Sequence, residues 1–381
     1  MLKVCINRPT GGKRRGGHLT HFSFTGIPGV EIAALSDPNP EAEKNYHLTG
    51  AKKLYTSFEE MITAENPDIV VLCSRLPEEH YSEIKYALNR NCHILCEKPL
   101  ADDLFHAREL ADLAKAKNLK VQIAHLARFA PTFARMKEMI SAGEIGRVLS
   151  CYMRGKEDTR GGGEDMFVLG THIFDAACML FGLPLEVTSD VRWQGKPITE
   201  NDLAETTEPL GPCGGDEIFA HFRFADGVNG FFESRRGLVP EAANPRMGIT
   251  VCGTNGSLTI RYTGDRALRI CRNFPVPVED NNVYEKVELD PPADIPGSTP
   301  IDPEVWGMAP GNFNHKYFAE NNRRAAWDLL QAIRENREPA AGIESAICSL
   351  EMIVGIYQSS IDGRKIEFPL ENRRHPLSKE A

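Results

Sequence analysis

The chain has 381 residues, 41% of them hydrophobic and 25% charged, with a formal net charge of −9. That balance is ordinary for a globular protein and argues against a general binder of nucleic acid or of anionic membrane. The length exceeds one comfortable core and predicts two domains.

The opening MLKVCINRP has no long apolar stretch with a cleavage site. No run approaches the roughly 20 apolar residues of a membrane helix. Ten cysteines are scattered without paired zinc spacing and read as buried free thiols of a reducing compartment. A cytoplasmic protein with no metal site is expected.

The first third alternates the strand candidates LKVCI, VEIAALS, DIVVLCS, HILC and LKVQIAH with the stretches PEAEKNYHLTG, SFEEMITAEN, PEEHYSEIKYALNRN and DDLFHARELADLAKAKN. In the last of these, Leu104, Ala107, Leu110, Ala111 and Ala114 recur at helical spacing. Strict alternation predicts an α/β domain over residues 1–125, a parallel sheet with helices on both faces. RPTGGKRRGGH follows the first strand and precedes a plausible helix, HLTHFSFTG. That is the context of a dinucleotide loop, with exposed amides and a helix N-terminus facing a diphosphate. The G-x-G-x-x-G spacing is absent: Gly11, Gly12, Gly16 and Gly17 are bunched around Lys13, Arg14 and Arg15. Asp37 closes the second strand, where an acid would grip the adenosine ribose and disfavour a 2′-phosphate. Gly11, Gly12, Gly17, His18, Asp37 and the basic pair Arg14 and Arg15 are the candidate nucleotide residues. NAD is the expected cofactor, with NADP possible. A nucleic-acid arm is the weaker reading, because the basic run is short and no aromatic residue interleaves with it.

After residue 125 the pattern changes. A helix, APTFARMKEMISAGEIG, leads into the strand RVLSCYMRGK, a glycine tract and a very apolar helix, DMFVLGTHIFDAACMLFG. IFAHFRFADGVNGFFESRRG and ITVCGTNGSLTIRY carry the turn pairs Asp226-Gly227 and Asn255-Gly256 between alternating residues, which predicts antiparallel hairpins. Residues 126–381 are therefore expected to form an α+β domain with a large, open, mainly antiparallel sheet. Phe274 to Gly311, rich in Pro, Asp and Asn, reads as a lid or an interface arm, with Trp306, Asn312 and His315 at its end. A helix pair closes the chain.

HILCEKPLA, a buried strand ending in Glu97-Lys98-Pro99, resembles the hallmark of the glucose–fructose oxidoreductase, inositol dehydrogenase and rhizopine catabolism family. VVLCSRLPEEH is similar to that family's strand and loop below the nicotinamide, with Ser74, Pro77 and His80 in matching places. IAHLARFAPTF, carrying Arg128, resembles its crossover to the second domain. GGGEDMFVLGTHIFDAACMLFG resembles its active-site helix, and GTNGSLTI and SIDGRKIEFPL match in kind and order. The resemblance covers roughly residues 2 to 377. It implies a Rossmann domain and hydride transfer between NAD(P) and a secondary alcohol of a sugar, glycoside or cyclitol. It also implies that Lys98 hydrogen-bonds the reacting hydroxyl, that His172 moves its proton, and that Glu97 belongs to the cofactor site. A homo-oligomer through the second sheet is a further implication. From the residues alone, Lys98 also reads as a strand-end lysine beside Glu97, and His172 as a core histidine with Asp175 as support.

One position departs from the family pattern. The aspartate usually found four residues before the helix histidine is Val168 here. Asp165, seven residues before His172, would stand on nearly the same face of a regular helix and is the candidate replacement, with Glu164 less favourable. Arg154, Lys156, Asp158, Arg160 and Arg235 are the candidate polyol contacts, beside Lys98 and His172 themselves. Two alternatives stay open: a redox-neutral enzyme that retains NAD through transient oxidation, and a non-catalytic NAD- or sugar-sensing protein.

Overall fold

The computed structural model describes the chain apart from residues 12–16, 209, 241–245, 278, 281, 303–312 and 379–381, and apart from the side chains of residues 313 and 314. In chain order its strands are β1 (Leu2–Asn7), β2 (Val30–Ser36), β3 (Lys53–Tyr55), β4 (Ile69–Leu72), β5 (His93–Cys96), β6 (Val121–Ile123), β7 (Val148–Arg154), β8 (Glu186–Trp193), β9 (Lys196–Pro197), β10 (Glu217–Arg223), β11 (Asn229–Arg235), β12 (Gly248–Gly253), β13 (Gly256–Arg261), β14 (Leu268–Arg272), β15 (Glu285–Lys286) and β16 (Ile366–Glu367). The helices are α1 (Phe58–Glu65), α2 (Pro77–Asn89), α3 (Leu104–Ala116), α4 (Pro131–Ser141), the short turn α5 (Gly163–Asp165), α6 (Thr171–Phe181), α7 (Phe313–Glu335) and α8 (Ile343–Asp362). None of the described helices is long and apolar enough to cross a membrane.

The first unit contains Met1–Asp102, His106–Phe129 and Pro292–Ala346. Its six strands are parallel in the order β3-β2-β1-β4-β5-β6, so the order reverses between β1 and β4. All four residues of β4 are buried, as in a strand covered on both faces. α1 starts at Ser57, whose side chain accepts the Glu60 N–H, and α2 starts with Pro77 in its first turn. The expected helix in HLTHFSFTG is absent. Among the described residues between β1 and β2, the helical structure is the 3-10 turn Thr20–Phe22. The cover comes instead from α7, whose Ala325, Ala326, Leu329 and Leu330 join Val4, Ile6 and Leu35 in the core, while Ala319 packs on Phe22. PEAEKNYHLTG likewise forms only two 3-10 turns, and β3 is a short edge strand beyond the expected set.

The second unit contains Asp103–Phe105, Ala130–Pro291 and Ile347–Ala381. The single span expected over 126–381 is thus interrupted, because Pro292–Ala346 returns to the first unit. The described strands form one sheet in the order β15-β14-β13-β12-β7-β11-β10-β8-β16, with β9 beside β8. Only the β7–β11 pair is parallel. Phe174 of α6 packs between Phe222 and Phe232 of the sheet. The glycine tract has a packing cause: a Cβ on Gly162 would lie 2.4 Å from the Gly215 carbonyl oxygen, and one on Gly161 2.1 Å from that of Arg235.

Ten free thiols were expected, and the structure corrects this. Cys178 of α6 and Cys348 of α8 form a disulfide, while the eight other cysteines are free and buried. The two residues are 170 apart in sequence, so no local spacing marks them as a pair.

Candidate active site

In the first unit the candidate residues gather at the carboxyl ends of β1, β2, β4 and β5. Residues 8–10 leave β1 as Arg-Pro-Thr. Asp37, at the end of β2, is buried and already bonded: Oδ1 accepts the N–H groups of Thr10 and Asn39 at 3.0 Å each, and Oδ2 accepts the Thr10 hydroxyl at 2.6 Å. The acid meant for the ribose therefore also fastens the loop. Gly11 has φ +94° and lies against the Asn39 side chain. Gly12, Arg14 and Arg15 lie outside the described residues.

Gly17 returns to the sheet, where its N–H donates to the Cys73 carbonyl at 2.7 Å. A Cβ there would stand 2.4 Å from Glu97, so the contact demands glycine. Glu97 is 1% exposed, and its carboxylate accepts the His18 N–H at 2.9 Å, the Lys98 N–H at 3.3 Å and the Thr20 hydroxyl. The His18 ring lies 3.5 Å away. Burial opposes ionisation of Glu97, but His18, the Lys98 ammonium and the Thr20 hydroxyl outweigh it and hold its carboxyl below the usual range. Lys98 is 2% exposed and directly follows this carboxylate at the end of β5.

Ser74 donates to Glu79 at 2.5 Å and accepts the Leu76 N–H. His80, beyond Pro77 on α2, is fully buried, with its ring nitrogens 2.8 Å from the Ser74 carbonyl and 2.7 Å from the Pro99 carbonyl. Both residues were expected to touch cofactor. The bonds show them bracing the β4–α2 loop against the Glu97-Lys98-Pro99 turn. Arg128 donates to the Ala340 carbonyl at 3.2 Å.

In the second unit the candidates gather where β7 and β11 end. Arg154 pairs with Glu157 at 2.9 Å and with Glu233. Arg235 lies over the Phe219 ring at 4.7 Å and pairs with Glu233 at 3.4 Å. Lys156 stands 3.8 Å from Asp158, and its pKa is lowered by burial and by the nearby Arg160. Asp158 is fully buried under Arg160, whose bonds keep it ionised against burial; Arg160 also reaches Glu208 at 3.1 Å. Glu164 accepts from the backbone of Thr207 and Glu208, so it clamps that segment. Glu233 and Glu208 are not marked in the sequence, because the pairing of β7 with β11 and the packing of residues 205–208 bring them to Arg154 and Arg160.

The helix irregularity matters most. Met166–Gly170 is a π-helical turn between α5 and α6. Each residue of such a turn advances less than the roughly 100° of an α-helix, and over five residues the lag is on the order of a quarter turn. The regular-helix spacing that would align Asp165 with His172 therefore does not hold across this turn. Asp165 Oδ2 accepts the Ser234 hydroxyl at 2.7 Å and the Glu157 N–H at 3.2 Å. Val168 sits inside the π turn, nearly buried. His172 is half-buried near the start of α6, and Asp175 is fully buried one turn on. Trp306 and Asn312 lie outside the described residues, and His315 lies in the first turn of α7.

A six-stranded parallel sheet whose order reverses between β1 and β4 in one unit, and an open, mainly antiparallel sheet in the other, are the folds of an NAD-binding oxidoreductase. The oxidoreductase family with an NAD-binding Rossmann fold matches residues 12–125, and that family's C-terminal alpha/beta domain matches residues 137–368. The chain belongs to this family, that of glucose–fructose oxidoreductase, inositol dehydrogenase and the rhizopine catabolism protein.

An uncharacterised oxidoreductase of Schizosaccharomyces pombe is 36% identical over 153 residues, which is 37% of this chain and 41% of that protein. D-glucoside 3-dehydrogenase of Escherichia coli K12 is 26% identical over 250 residues, 61% of this chain and 70% of that one. The first relative is thus spanned over about two-fifths of its length. Levoglucosan dehydrogenase, solved with NADH and levoglucosan, shares the fold at a TM-score of 0.71 and 20% identity, covering 96% of this chain and 100% of that one.

Proposed function

We propose that the protein is an NAD-dependent dehydrogenase acting on a secondary alcohol of a sugar, glycoside or cyclitol, with Lys98 and His172 as its catalytic residues. The observation that carries the reading is the Glu97–Lys98 pair. A buried ammonium stands at the carboxyl end of β5, in the unit that binds the nucleotide, beside a carboxylate that ties down the end of the loop after β1. An ammonium in that place can hydrogen-bond the substrate oxygen and stabilise charge as it develops there.

NAD, when bound, supplies the hydride acceptor at its nicotinamide. Asp37 would hold the adenosine ribose, sharing its carboxylate with Thr10, and its charge favours NAD over NADP. His172 takes the hydroxyl proton, a task suited to an imidazole near neutral pH. Arg154, Lys156 and Arg235 are proposed as hydroxyl contacts. Asp165 is assigned to the fold of the site and not to the chemistry. The stacked rings of Tyr152, Phe231 and His221 support a homo-oligomer through the second sheet. The eight free, buried cysteines support a cytoplasmic location.

The test is a panel of sugars, glycosides and inositols with NAD or NADP, followed by absorbance of reduced nicotinamide. Sustained NADH production with one substrate class supports the reading. Substrate consumption without net NADH would assign a redox-neutral reaction instead, and nucleotide binding with no turnover on any substrate would leave a sensor.

A further inference from the structure

A dinucleotide's diphosphate is ordinarily held by two backbone devices: a glycine turn directly after the first strand, and the N-terminus of the helix that follows. Directly after β1 stand Arg-Pro-Thr, residues 8–10, and among the described residues between β1 and β2 the helical structure is the 3-10 turn Thr20–Phe22.

Arg8 is the first residue after β1. Its own N–H is fixed to β2, donating to the Ser36 carbonyl at 2.9 Å. Its Nε is buried and has no hydrogen-bond partner. Among the described residues its guanidinium makes no salt bridge. Asp37 is bonded to Thr10 and Asn39, and Glu97 to His18, Thr20 and Lys98, while Glu83 Oε1 accepts the Asn7 amide at 2.7 Å. No acidic residue occurs between Arg8 and Val30.

The surroundings fix where the charge lies. It acts on the buried His21 ring, which burial and then Arg8 hold neutral, and on the Cys73 thiol just beyond β4. The guanidinium thus lies by the carboxyl ends of β1 and β4, where the strand order reverses. His21 Nδ1 is a second buried nitrogen there without a partner.

We propose that Arg8 binds the diphosphate of the cofactor, its guanidinium adding a charged grip at the carboxyl end of β1. A planar guanidinium offers a bidentate, charge-assisted grip on two phosphate oxygens, and diphosphate would satisfy its buried N–H. The proposal rests on the NAD reading above.

The experiment measures binding of NADH, ADP-ribose and adenosine by calorimetry to the wild-type chain, Arg8→Met and Arg8→Lys, with melting temperatures recorded for each. Arg8→Met is expected to weaken NADH and ADP-ribose about ten- to a hundredfold while adenosine affinity stays within about twofold. Arg8→Lys is expected to recover part of the loss, and inorganic pyrophosphate to compete with ADP-ribose on the wild type only. Equal losses for adenosine and ADP-ribose would make Arg8 a structural residue and overturn the proposal. So would unchanged ADP-ribose affinity in Arg8→Met, which leaves the NAD reading intact. If the wild type binds neither NADH nor ADP-ribose, the NAD reading itself fails and takes the proposal with it.

Discussion

Ser234 Oγ donates a hydrogen bond of 2.7 Å to Asp165 Oδ2, while Asp165 Oδ1 is buried without a partner. Burial pushes the carboxyl up to about 6 from 3.8, and the bonds from Ser234 and the Glu157 N–H offset only part of that cost. Between about pH 4 and 6 the folded chain keeps a proton that the unfolded chain has lost. Asp165 therefore makes stability fall as pH rises through that window, by roughly 3 kcal/mol in all, with no further change above it. Asp165→Asn removes the term. Urea midpoints measured from pH 4 to 8 should show the variant gaining on the wild type up to about pH 6, then running level with it. Parallel profiles throughout would mean that another group titrates.

The same substitution separates fold from chemistry. Lys98→Ala and His172→Asn are expected to lower kcat by about 10²–10⁴ with NADH affinity changed only a few-fold, since proton transfer and oxyanion support act in the transition state. Asp165→Asn should stay within about threefold of wild-type kcat. A collapse of turnover in Asp165→Asn with an unchanged melting temperature would return the aspartate to the catalytic set.

Alkylation of the denatured protein counts its thiols. Without reductant, eight of the ten cysteines should be modified, and all ten after reduction. The Cys178–Cys348 link joins the helix of His172 to α8 across a long loop, so Cys348→Ala is expected to cost about 2–5 kcal/mol in unfolding free energy. Ten reactive thiols in protein kept free of reductant would show that the pair stays reduced.

The expected strands of both sheets and most helices were legible because burial on one or two faces writes a period into the sequence. The failures share a cause. HLTHFSFTG reads as a helix from its neighbours, yet α7, nearly 300 residues away in sequence, supplies the cover that such a helix would give. Asp165 and His172 share a face in a regular helix, but nothing in MFVLG announces a π turn. Nothing in INRPTGG marks Arg8, because an arginine at a strand end reads as a solvated charge until its burial is known. The Glu97–Lys98 turn was readable because its residues are contiguous. The Glu233, Arg154, Glu157 and Arg160, Asp158, Glu208 groups were not, because only the pairing of β7 with β11 and the packing of the 205–208 segment bring them together.

His375 gives the opposite titration from Asp165. Its ring is fully buried beside Tyr357 and Phe167, and its Nδ1 accepts the Leu377 N–H at 3.2 Å, which requires the neutral form. Burial pushes its pKa down to about 3 from 6.5. Between those values the unfolded chain holds a proton that the folded chain refuses, so His375 makes stability fall as pH drops below about 6.5. Over pH 4–6 the two groups oppose each other, one proton against one proton. Their joint contribution in the wild type should be nearly flat there. Asp165→Asn should then lose stability on acidification, His375→Leu should gain it, and the double variant should be flat again. Unfolding midpoints of the four proteins at pH 4, 5, 6 and 7 test this. A double variant whose slope matches either single variant would show that the terms do not cancel and that the two sites are coupled or mis-assigned.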